Sequence, residues 1–289
     1  MSVWAVVVTF ERRDLLRECL AAVGAQTAAP DRVLVVDNAS SDGTAEVVRQ
    51  EFPGADLLAL PDNGGASVGF DEGLRVALQG GATHVWMLDD DTIPFPDALE
   101  RLLAARDRVP GAALLASVVE WSDGSLHPMN VPGLRRDSVD ALIDGVAEGL
   151  LPMRTATFVS LLVSRAAIER HGGPPRHFFL WSDDMEFTAR ITRDGTPAYA
   201  VPESVVEHRT PIAHTAVTEG GARFYYHVRN TLYMLRGSAW SPAEKLSLVY
   251  LLTVTTSKYL QRERRAGLPH VLAGLRDGVR AVAAGGGPR

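Results

Sequence analysis

The chain has 289 residues, of which 46% are hydrophobic and 22% charged, and this ordinary mixture excludes a disordered or fibrous protein. Its one cysteine, Cys19, excludes a disulfide scaffold and a cysteine-rich zinc module, and it fits a reducing compartment. The net charge of −6 argues against nucleic-acid binding, although residues 245–289 alone hold eight Lys or Arg side chains and two acidic ones.

Strand and helix patterns alternate over residues 1–120. The strands are predicted from short apolar runs at 3–9, 33–36, 56–60, 84–88 and 112–119. Helical spacing of apolar residues follows them at 11–25, 44–51, 67–78 and 96–106. This alternation predicts an α/β fold, with a mostly parallel, Rossmann-like sheet flanked by helices. Because ligands of such sheets bind at the carboxyl ends of the strands, we expect functional residues directly after each strand.

Periodicity is weaker over residues 121–154, where one helix is predicted at 137–146. The length of this stretch favours a loop that covers a substrate over a simple connection. A strand is predicted at 155–163, a short helix from Arg165, an aspartate-bearing segment at 181–193 and a strand at 204–207.

A long helical pattern begins at Ser241 and includes an apolar run at 246–254. About 20 apolar residues are needed to span a bilayer, so this run is too short. Two interpretations remain open: a helix that lies in a membrane interface with its basic end among the headgroups, or an amphipathic helix packed on the main domain.

Three adjacent carboxylates, Asp89, Asp90 and Asp91, end the fourth predicted strand. They repel one another, so we expect water or a cation to offset their charge. Mg²⁺ and Mn²⁺ prefer such oxygen ligands. Alternate residues of a strand point the same way, so Asp89 and Asp91 converge while Asp90 turns away. A solvated acidic turn, or a helix cap before Pro94, is the alternative.

Polar loops follow the first three strands, at the edge of the sheet where a nucleotide would lie. Asp37 can accept a hydrogen bond from a base imide, and Arg12 can face a diphosphate. Gly64 and Gly65 allow a ligand to approach the backbone closely. Each loop alone is a weak signal, since the second also suits a helix cap, but together with the three carboxylates they predict a nucleotide site.

Four segments resemble the family 2 glycosyltransferases: VVVTFERRDLLRECLAAVGAQT, VLVVDNASSDGT, DNGGASVGF and WMLDDDT. The resemblance covers about residues 1–120. It implies the GT-A fold, a nucleotide-sugar donor, a divalent cation facing Asp89 and Asp91, inversion at the anomeric carbon and a uracil contact at Asp37. The residues expected on this basis to bind the donor are Thr9, Phe10, Arg12, Asp37, Asn38, Asn63, Gly65 and Asp90.

Residues 179–187, FLWSDDMEF, resemble the segment that holds the catalytic base in actinobacterial galactofuranosyltransferases, although here Ser182 separates Trp181 from the aspartates. The resemblance implies that Asp184 is the base and that Asp183 supports it. A carboxylate suits this role because an acceptor hydroxyl must lose its proton as it attacks the anomeric carbon. The alternative is that these residues only cap a helix that runs to Arg193.

His208 follows the strand predicted at 204–207 and matches a position where this family often has a metal-binding histidine. An imidazole can complete a ligand shell of oxygen and nitrogen atoms. A purely structural role remains open, as does His214 as the ligand instead.

Residues 223–233 resemble a segment of the enzyme that adds the first galactofuranose residues to a polyprenyl-diphosphate-linked disaccharide, and of related rhamnosyltransferases. On a helix, Tyr226, Arg229 and Tyr233 share one side, and such an aromatic and cationic face suits a sugar and a diphosphate. Aromatic core packing with Arg229 in a buried ion pair is the alternative. The residues expected to bind the acceptor are Trp181, Tyr226, His227, Arg229 and Asn230.

The sequence therefore predicts an inverting glycosyltransferase that depends on Mn²⁺ or Mg²⁺. We expect a nucleotide-sugar-binding half at 1–120, an acceptor-binding and catalytic half at 121–240, and a basic helical extension at 241–289 that contacts the membrane. The expected reaction transfers galactofuranose from UDP-galactofuranose to a lipid-linked cell-envelope glycan at the cytoplasmic membrane face.

Three alternatives remain open. One is a rhamnosyltransferase that uses dTDP-rhamnose. Another is a non-catalytic nucleotide- or carbohydrate-binding protein of the same fold, which would not need the Asp183–Asp184 pair. The third is a nucleotidyltransferase, which normally has a glycine-rich phosphate loop after the first strand, whereas TFERRD has no glycine.

Overall fold

The structure is a computed structural model that describes residues 1–135, 138–212, 215, 217–218 and 220–283. Its strands are β1 (Val3–Thr9), β2 (Arg32–Asp37), β3 (Ala55–Ala59), β4 (His84–Asp89), β5 (Thr92–Pro94), β6 (Leu114–Glu120), β7 (Gly133–Leu134), β8 (Leu151–Thr155), β9 (Leu161–Ser164) and β10 (Ala198–His208). Its helices are α1 (Arg13–Gly24), α2 (Thr44–Glu51), α3 (Gly65–Gln79), α4 (Ala98–Arg108), α5 (Val139–Ala147), α6 (Arg165–His171), α7 (Asp183–Thr192), α8 (Phe224–Arg236), α9 (Pro242–Glu263) and α10 (Leu268–Ala283).

The strands form one mixed sheet in the order β3-β2-β1-β4-β9-β6-β10-β8-β7, and β5 pairs with β10 outside this order. β1 is parallel to β2 and β4, β2 is parallel to β3, and β6 is parallel to β10. The carboxyl ends of β1 to β4 therefore meet at one edge of the sheet. The predicted α/β fold and the alternation over residues 1–120 are confirmed.

The strand predicted at 155–163 is wrong. β8 ends at Thr155, a 3-10 turn spans Phe158–Ser160, and β9 then runs antiparallel between β4 and β6. The turn allows Phe158 to pack against Phe70 and Phe187, with ring centroids 4.7 Å and 5.7 Å away. An apolar run in the sequence indicates burial, but it does not indicate this break or the direction of pairing.

The core has two layers, one on each face of the sheet. One face packs against α3, α6 and α7, and the other against α1, α2 and α4. Along β1, Val6 belongs to the first layer and Val7 to the second, because successive strand residues point to opposite faces. This double cover explains why every residue of β1 is buried and why its sequence is an apolar run instead of an alternating one.

The last three helices pack mainly on one another. The Phe224 ring of α8 stacks on the Tyr259 ring of α9 with centroids 3.9 Å apart, and Val271 of α10 joins the same cluster. A Cβ at Gly274 would lie 2.8 Å from the Tyr225 carbonyl oxygen, so only glycine lets α10 approach α8 this closely. The predicted helical extension is therefore present.

Candidate active site

A cavity of about 770 Å³ opens at the carboxyl ends of the parallel strands. Most of the predicted site residues lie on its wall: Thr9, Phe10, Arg12, Asn38, Asn63, Gly65, Asp89, Asp90, Asp91, Trp181, Asp184, His208, Tyr226 and His227. Four predicted residues do not line it: Asp37, Asp183, Arg229 and Asn230. The cavity thus brings together the two acidic clusters, which lie far apart in sequence.

Asp89, Asp91 and His208 converge at the end of β4 and β10. One ligand atom from each lies within 4.8 Å of the others, and His208 Nε2 is 3.1 Å from Asp91 Oδ1. Asp90 turns away, as predicted, and its Oδ2 accepts a hydrogen bond of 2.8 Å from the Thr9 hydroxyl. The competing His214 lies outside the described residues.

Negative charge is concentrated at this cluster. Burial, reinforced by the charge of Asp91, raises the pKa of Asp89 to about 7. Burial also acts to raise the pKa of Asp91, but hydrogen bonding to His208 and the charges of His208 and Arg12 outweigh it and hold that pKa below its usual value. Two carboxylate oxygens and one imidazole nitrogen form a donor set that fits a divalent cation such as Mn²⁺ or Mg²⁺.

The Arg12 guanidinium lies beside the same carboxylates. Its Nη1 is 3.2 Å from Asp90 Oδ1 and also contacts Asp91 Oδ2. The side chain remains 41% exposed, so it reaches the carboxylates from the open side of the cavity. The contact of Arg12 with a diphosphate stays a prediction.

Residues of the 121–154 stretch hold His208 in place. His208 Nδ1 is 2.9 Å from Asn130 Oδ1, and Asn130 Nδ2 donates to the Thr157 hydroxyl at 3.0 Å. An amide oxygen only accepts, so His208 carries a proton on Nδ1, and Nε2 is the ring nitrogen that faces Asp91. The His127 ring packs 4.7 Å from the His208 ring. Our sequence analysis missed Asn130 and His127 because this stretch has no clear periodicity.

The second acidic cluster is the first turn of α7. Asp183 is 3% exposed, and its Oδ2 accepts a hydrogen bond of 2.9 Å from the Ser67 hydroxyl. Burial nevertheless raises the pKa of Asp183 to about 6. Asp184 faces the cavity, and burial, the Asp183 charge and the Asp89 charge raise its pKa well above the ordinary value. The Asp183–Asp184 pair therefore divides into one residue fixed to α3 and one residue open to a ligand.

The residues just before this pair have unusual backbone angles. Phe179 has φ 66° and ψ −61°, and Trp181 and Ser182 also have positive φ values of 65° and 66°. The Leu180 amide donates to the Phe178 carbonyl at 2.8 Å, which closes a γ-turn of the rarer kind at Phe179. Non-glycine residues adopt such angles only where the surroundings compensate the strain. We call residues 178–182 the strained segment.

Arg229 and Asn230 supply that compensation. Asn230 Nδ2 lies 3.1, 2.9 and 2.7 Å from the carbonyl oxygens of Phe178, Leu180 and Trp181. Arg229 Nη2 donates to the Phe178 carbonyl at 2.6 Å. The structure therefore places both side chains behind the strained segment and not on the cavity wall, where we expected them to bind the acceptor. No carboxylate lies among their described partners, so the alternative of a buried ion pair at Arg229 is not observed either.

Gly65 and Tyr226 fix the cavity side of the strained segment. A Cβ at Gly65, which has φ 77°, would overlap the Phe179 carbonyl oxygen. The Phe179 ring stacks on the Tyr226 ring with centroids 5.2 Å apart. We expected a glycine here for close approach of a ligand, and the structure shows that close approach of another chain segment already requires it.

Asp37 is placed differently from our expectation for a base contact. It is 2% exposed, and its Oδ1 accepts a hydrogen bond of 3.0 Å from the Ser40 amide. Its neighbour Asn38 reaches the cavity wall. The uracil contact at Asp37 stays a prediction.

Comparison with known proteins agrees with this geometry. A model of the family described as Glycosyl transferase family 2 matches residues 4–168. The N-acetylglucosaminyl-diphospho-decaprenol L-rhamnosyltransferase of Mycobacterium tuberculosis is 25% identical, over 91% of this chain and 95% of its own. The galactofuranosyltransferase GlfT1 of Mycolicibacterium smegmatis is 28% identical, over 81% of this chain and 82% of its own.

Solved structures show the same fold. The mannosyltransferase PcManGT from Pyrobaculum calidifontis, in complex with GDP-Man and Mn2+, matches 99% of this chain and 76% of its own with a TM-score of 0.58 and 21% identity. The predicted GT-A fold and the predicted enzyme class are confirmed. The chain therefore belongs to glycosyl transferase family 2 and is a glycosyltransferase with the GT-A fold.

Proposed function

We propose that this glycosyltransferase transfers galactofuranose from UDP-galactofuranose, with inversion, to a hydroxyl of a polyprenyl-diphosphate-linked glycan. The observation that carries the proposal is the shared cavity, which has the Asp89–Asp91–His208 cluster on its wall together with Asp184. The names of two relatives add support. One is named a galactofuranosyltransferase, and the name of the other includes the words diphospho-decaprenol.

In the proposed mechanism Asp184 is the general base. Its carboxylate accepts the proton of the acceptor hydroxyl while that oxygen forms a bond to the anomeric carbon and the bond from this carbon to the UDP oxygen breaks. A raised pKa makes Asp184 a better proton acceptor than an ordinary aspartate. Asp183 positions it from the buried side of α7 through the contact with Ser67.

The Asp89–Asp91–His208 cluster would hold a divalent cation beside the diphosphate. Such a cation supplies positive charge that stabilises a departing diphosphate. Arg12 adds a second positive charge at the same end of the cavity, and Asp90 orients Thr9 and the Phe10 amide through hydrogen bonds of 2.8 and 3.3 Å.

A second donor, dTDP-rhamnose, is favoured by one observation. The relative that is named a rhamnosyltransferase matches 91% of this chain, whereas the named galactofuranosyltransferase matches 81%. The two donors differ in nucleobase and sugar, so one assay separates them.

The test is a transfer assay with a synthetic polyprenyl-diphosphate-linked disaccharide, UDP-galactofuranose or dTDP-rhamnose, and Mn²⁺ or Mg²⁺. We expect a hexosylated product by mass spectrometry with UDP-galactofuranose, and none after chelation of the cation. A deoxyhexosylated product would show that the donor is dTDP-rhamnose and not UDP-galactofuranose. Nucleotide binding without transfer from either donor would contradict catalysis and support a binding protein.

We further propose that the enzyme works at the cytoplasmic face of the membrane and docks there through residues 241–283. None of the described helices has the length and apolarity that a bilayer crossing needs. Exposed apolar residues of α10 and the basic charge of this region support contact with a lipid surface.

A further inference from the structure

One wall of the catalytic cavity comes from α9. Leu248, Leu251, Leu252 and Thr255 all line the cavity. Their spacing of three and four residues places them on one face of the helix. The nucleotide end of the cavity is rich in carboxylates, but this wall consists mainly of leucine side chains.

Apolar side chains connect this wall to the proposed base. Met185 directly follows Asp184, lines the cavity and packs against a cluster that contains Met234 and Leu248. Met234 also lines the cavity. We call Met185, Met234, Leu248, Leu251 and Leu252 the aliphatic wall.

The polar groups beside the aliphatic wall are occupied within the protein. His227 Nε2 is 2.9 Å from the Thr255 hydroxyl, which is 2.7 Å from the Leu251 carbonyl oxygen. The Thr231 hydroxyl donates to the His227 carbonyl at 2.7 Å. Burial lowers the pKa of His227 to about 4, so its ring is neutral at pH 7. Methyl groups and an uncharged ring therefore face the cavity here, and they suit a hydrocarbon better than a sugar.

The apolar surface continues to the outside of the molecule. On α9, Tyr250 is 66% exposed, Leu251 51% and Val249 45%. Leu251 lies on the cavity wall and is also half exposed. Residues 248–252 are thus apolar around most of the helix, a pattern typical of helices that are buried in a core or in lipid.

We propose that the aliphatic wall binds the first units of the isoprenoid chain of the acceptor and that α9 leads this chain from the cavity towards the bilayer. The proposal rests on the proposed function, because an acceptor without a lipid has no use for such a wall. An isoprenoid is favoured over an apolar protein segment because the wall is continuous with the catalytic cavity. Arg223, which lines the same cavity at the start of α8, suits the diphosphate of such an acceptor.

The test compares two acceptors that share their glycan and diphosphate but end in a long polyprenyl chain or in a methyl group, both in detergent micelles. In Leu251→Gln and Leu252→Gln we expect the KM for the long-chain acceptor to rise on the order of tenfold with kcat unchanged, and the KM for the methyl acceptor to stay constant. Leu246→Gln is the matched control, since Leu246 is exposed on the same helix but does not line the cavity.

Direct binding makes the test independent of turnover. Farnesyl phosphate should quench tryptophan fluorescence through Trp181, another cavity residue, and Leu251→Gln should weaken this binding while UDP binding stays the same. The proposal is overturned if farnesyl phosphate does not bind. It is also overturned if Leu251→Gln raises the KM for both acceptors equally, or if Leu246→Gln raises the KM for the long-chain acceptor as much as Leu251→Gln does. A concentration-dependent dimer that Leu246→Gln dissociates would also overturn it, because the surface would then bind a second copy. If neither acceptor is glycosylated but farnesyl phosphate still binds at the aliphatic wall, the result contradicts the proposed function and not the isoprenoid site.

Discussion

Asp184 is held in an environment that disfavours its charged form. Burial, Asp183 and Asp89 together raise its pKa. For a group whose pKa is higher in the folded than in the unfolded state, the stabilising contribution is complete at low pH and is lost as the pH rises through the folded-state pKa. At neutral pH an ionised Asp184 therefore lowers the free energy of unfolding, a cost that fits its proposed role as the base.

Asp184→Asn should separate the effect of this carboxylate on stability from its effect on transfer. We expect the transfer rate to fall on the order of a thousandfold because no base remains, while UDP binding changes little. The Tm should rise, since a neutral amide replaces a confined carboxylate. Rate assays, UDP titration and thermal unfolding check these outcomes, and a parallel loss of transfer and UDP binding would show that Asp184 is structural.

The pH profile of the unmodified enzyme is a further check on the same residue. Protonation of the base stops transfer, so kcat should fall on the acidic side at a pH clearly above the ordinary aspartate pKa of about 3.9. An acidic limb at or below that ordinary value would show that another group accepts the proton.

We expect Asn130 to raise the affinity of the proposed cation site, although it contacts His208 and not the cation itself. Its Oδ1 fixes the tautomer of His208, so Asn130→Ala should weaken Mn²⁺ binding by about 10- to 100-fold. Asn130→Asp keeps an acceptor at the same place and should retain most of the affinity. Titration of Mn²⁺ followed by paramagnetic resonance measures this without turnover, and equal affinities in all three proteins would rule out the role.

At the scale of elements, α8 holds the strained segment in place through the side chains of Arg229 and Asn230. An unpaired buried carbonyl costs about 1–3 kcal/mol, and each residue with a strained backbone costs a similar amount, so the contacts of Asn230 offset part of the strain at Phe179, Trp181 and Ser182. Trp181 and Asp184 reach the cavity only if this segment keeps its conformation.

Asn230→Ala should therefore lower kcat more than it changes the KM for the donor, and it should lower the free energy of unfolding by about 1–3 kcal/mol. Tyr259→Phe is the matched control, because it removes a 2.7 Å hydrogen bond from α9 to the Gly221 carbonyl just before α8 without touching the strained segment. If both variants lose stability to the same extent and keep full kcat, Asn230 has only a structural role.

Local patterns predicted some elements well and others badly, for physical reasons. β1 and α2 were predicted with their observed bounds because an apolar run and a helical repeat are properties of the segment itself. The direction of β9 was not predictable in this way, because it depends on the β4 and β6 strands on either side. The convergence of Asp89 and Asp91 followed from strand geometry, whereas the partners of Asn230 depend on how α8 docks.

At the scale of the whole molecule, the C-terminal helices give one surface a distinct character. α10 turns Val271 and Gly274 towards α8 and leaves a stripe of apolar residues exposed. The exposed stripe consists of Leu268, Leu272, Leu275 and Val279. Arg276 and Arg280 lie next to this stripe in the helical register. We considered only the apolar run at 246–254 of the sequence, so we did not predict this stripe on α10.

This combination predicts binding to an anionic lipid surface. An apolar stripe enters the headgroup region, and a neighbouring arginine contributes about 1 kcal/mol. Arg276 contributes less than Arg280, because its guanidinium is paired with Asp277 at 2.7 Å. Leu272→Gln together with Leu275→Gln should reduce binding to vesicles of phosphatidylglycerol and phosphatidylcholine at least tenfold in a sedimentation assay, and added salt should weaken the binding that remains.

The α5 helix offers the matched control for this prediction. Val139 and Ile143 are 70% and 61% exposed, more than Leu272 and Leu275 at 55% and 39%, but the acidic residues Asp140 and Asp144 share their helix. If exposed apolar area alone drove the contact, glutamine at these two positions would reduce vesicle binding as much as the α10 changes do. If the arginines beside the α10 stripe determine which surface binds the vesicle, the α5 variant should bind as the unmodified protein does. Equal loss in both variants would therefore contradict docking through α10.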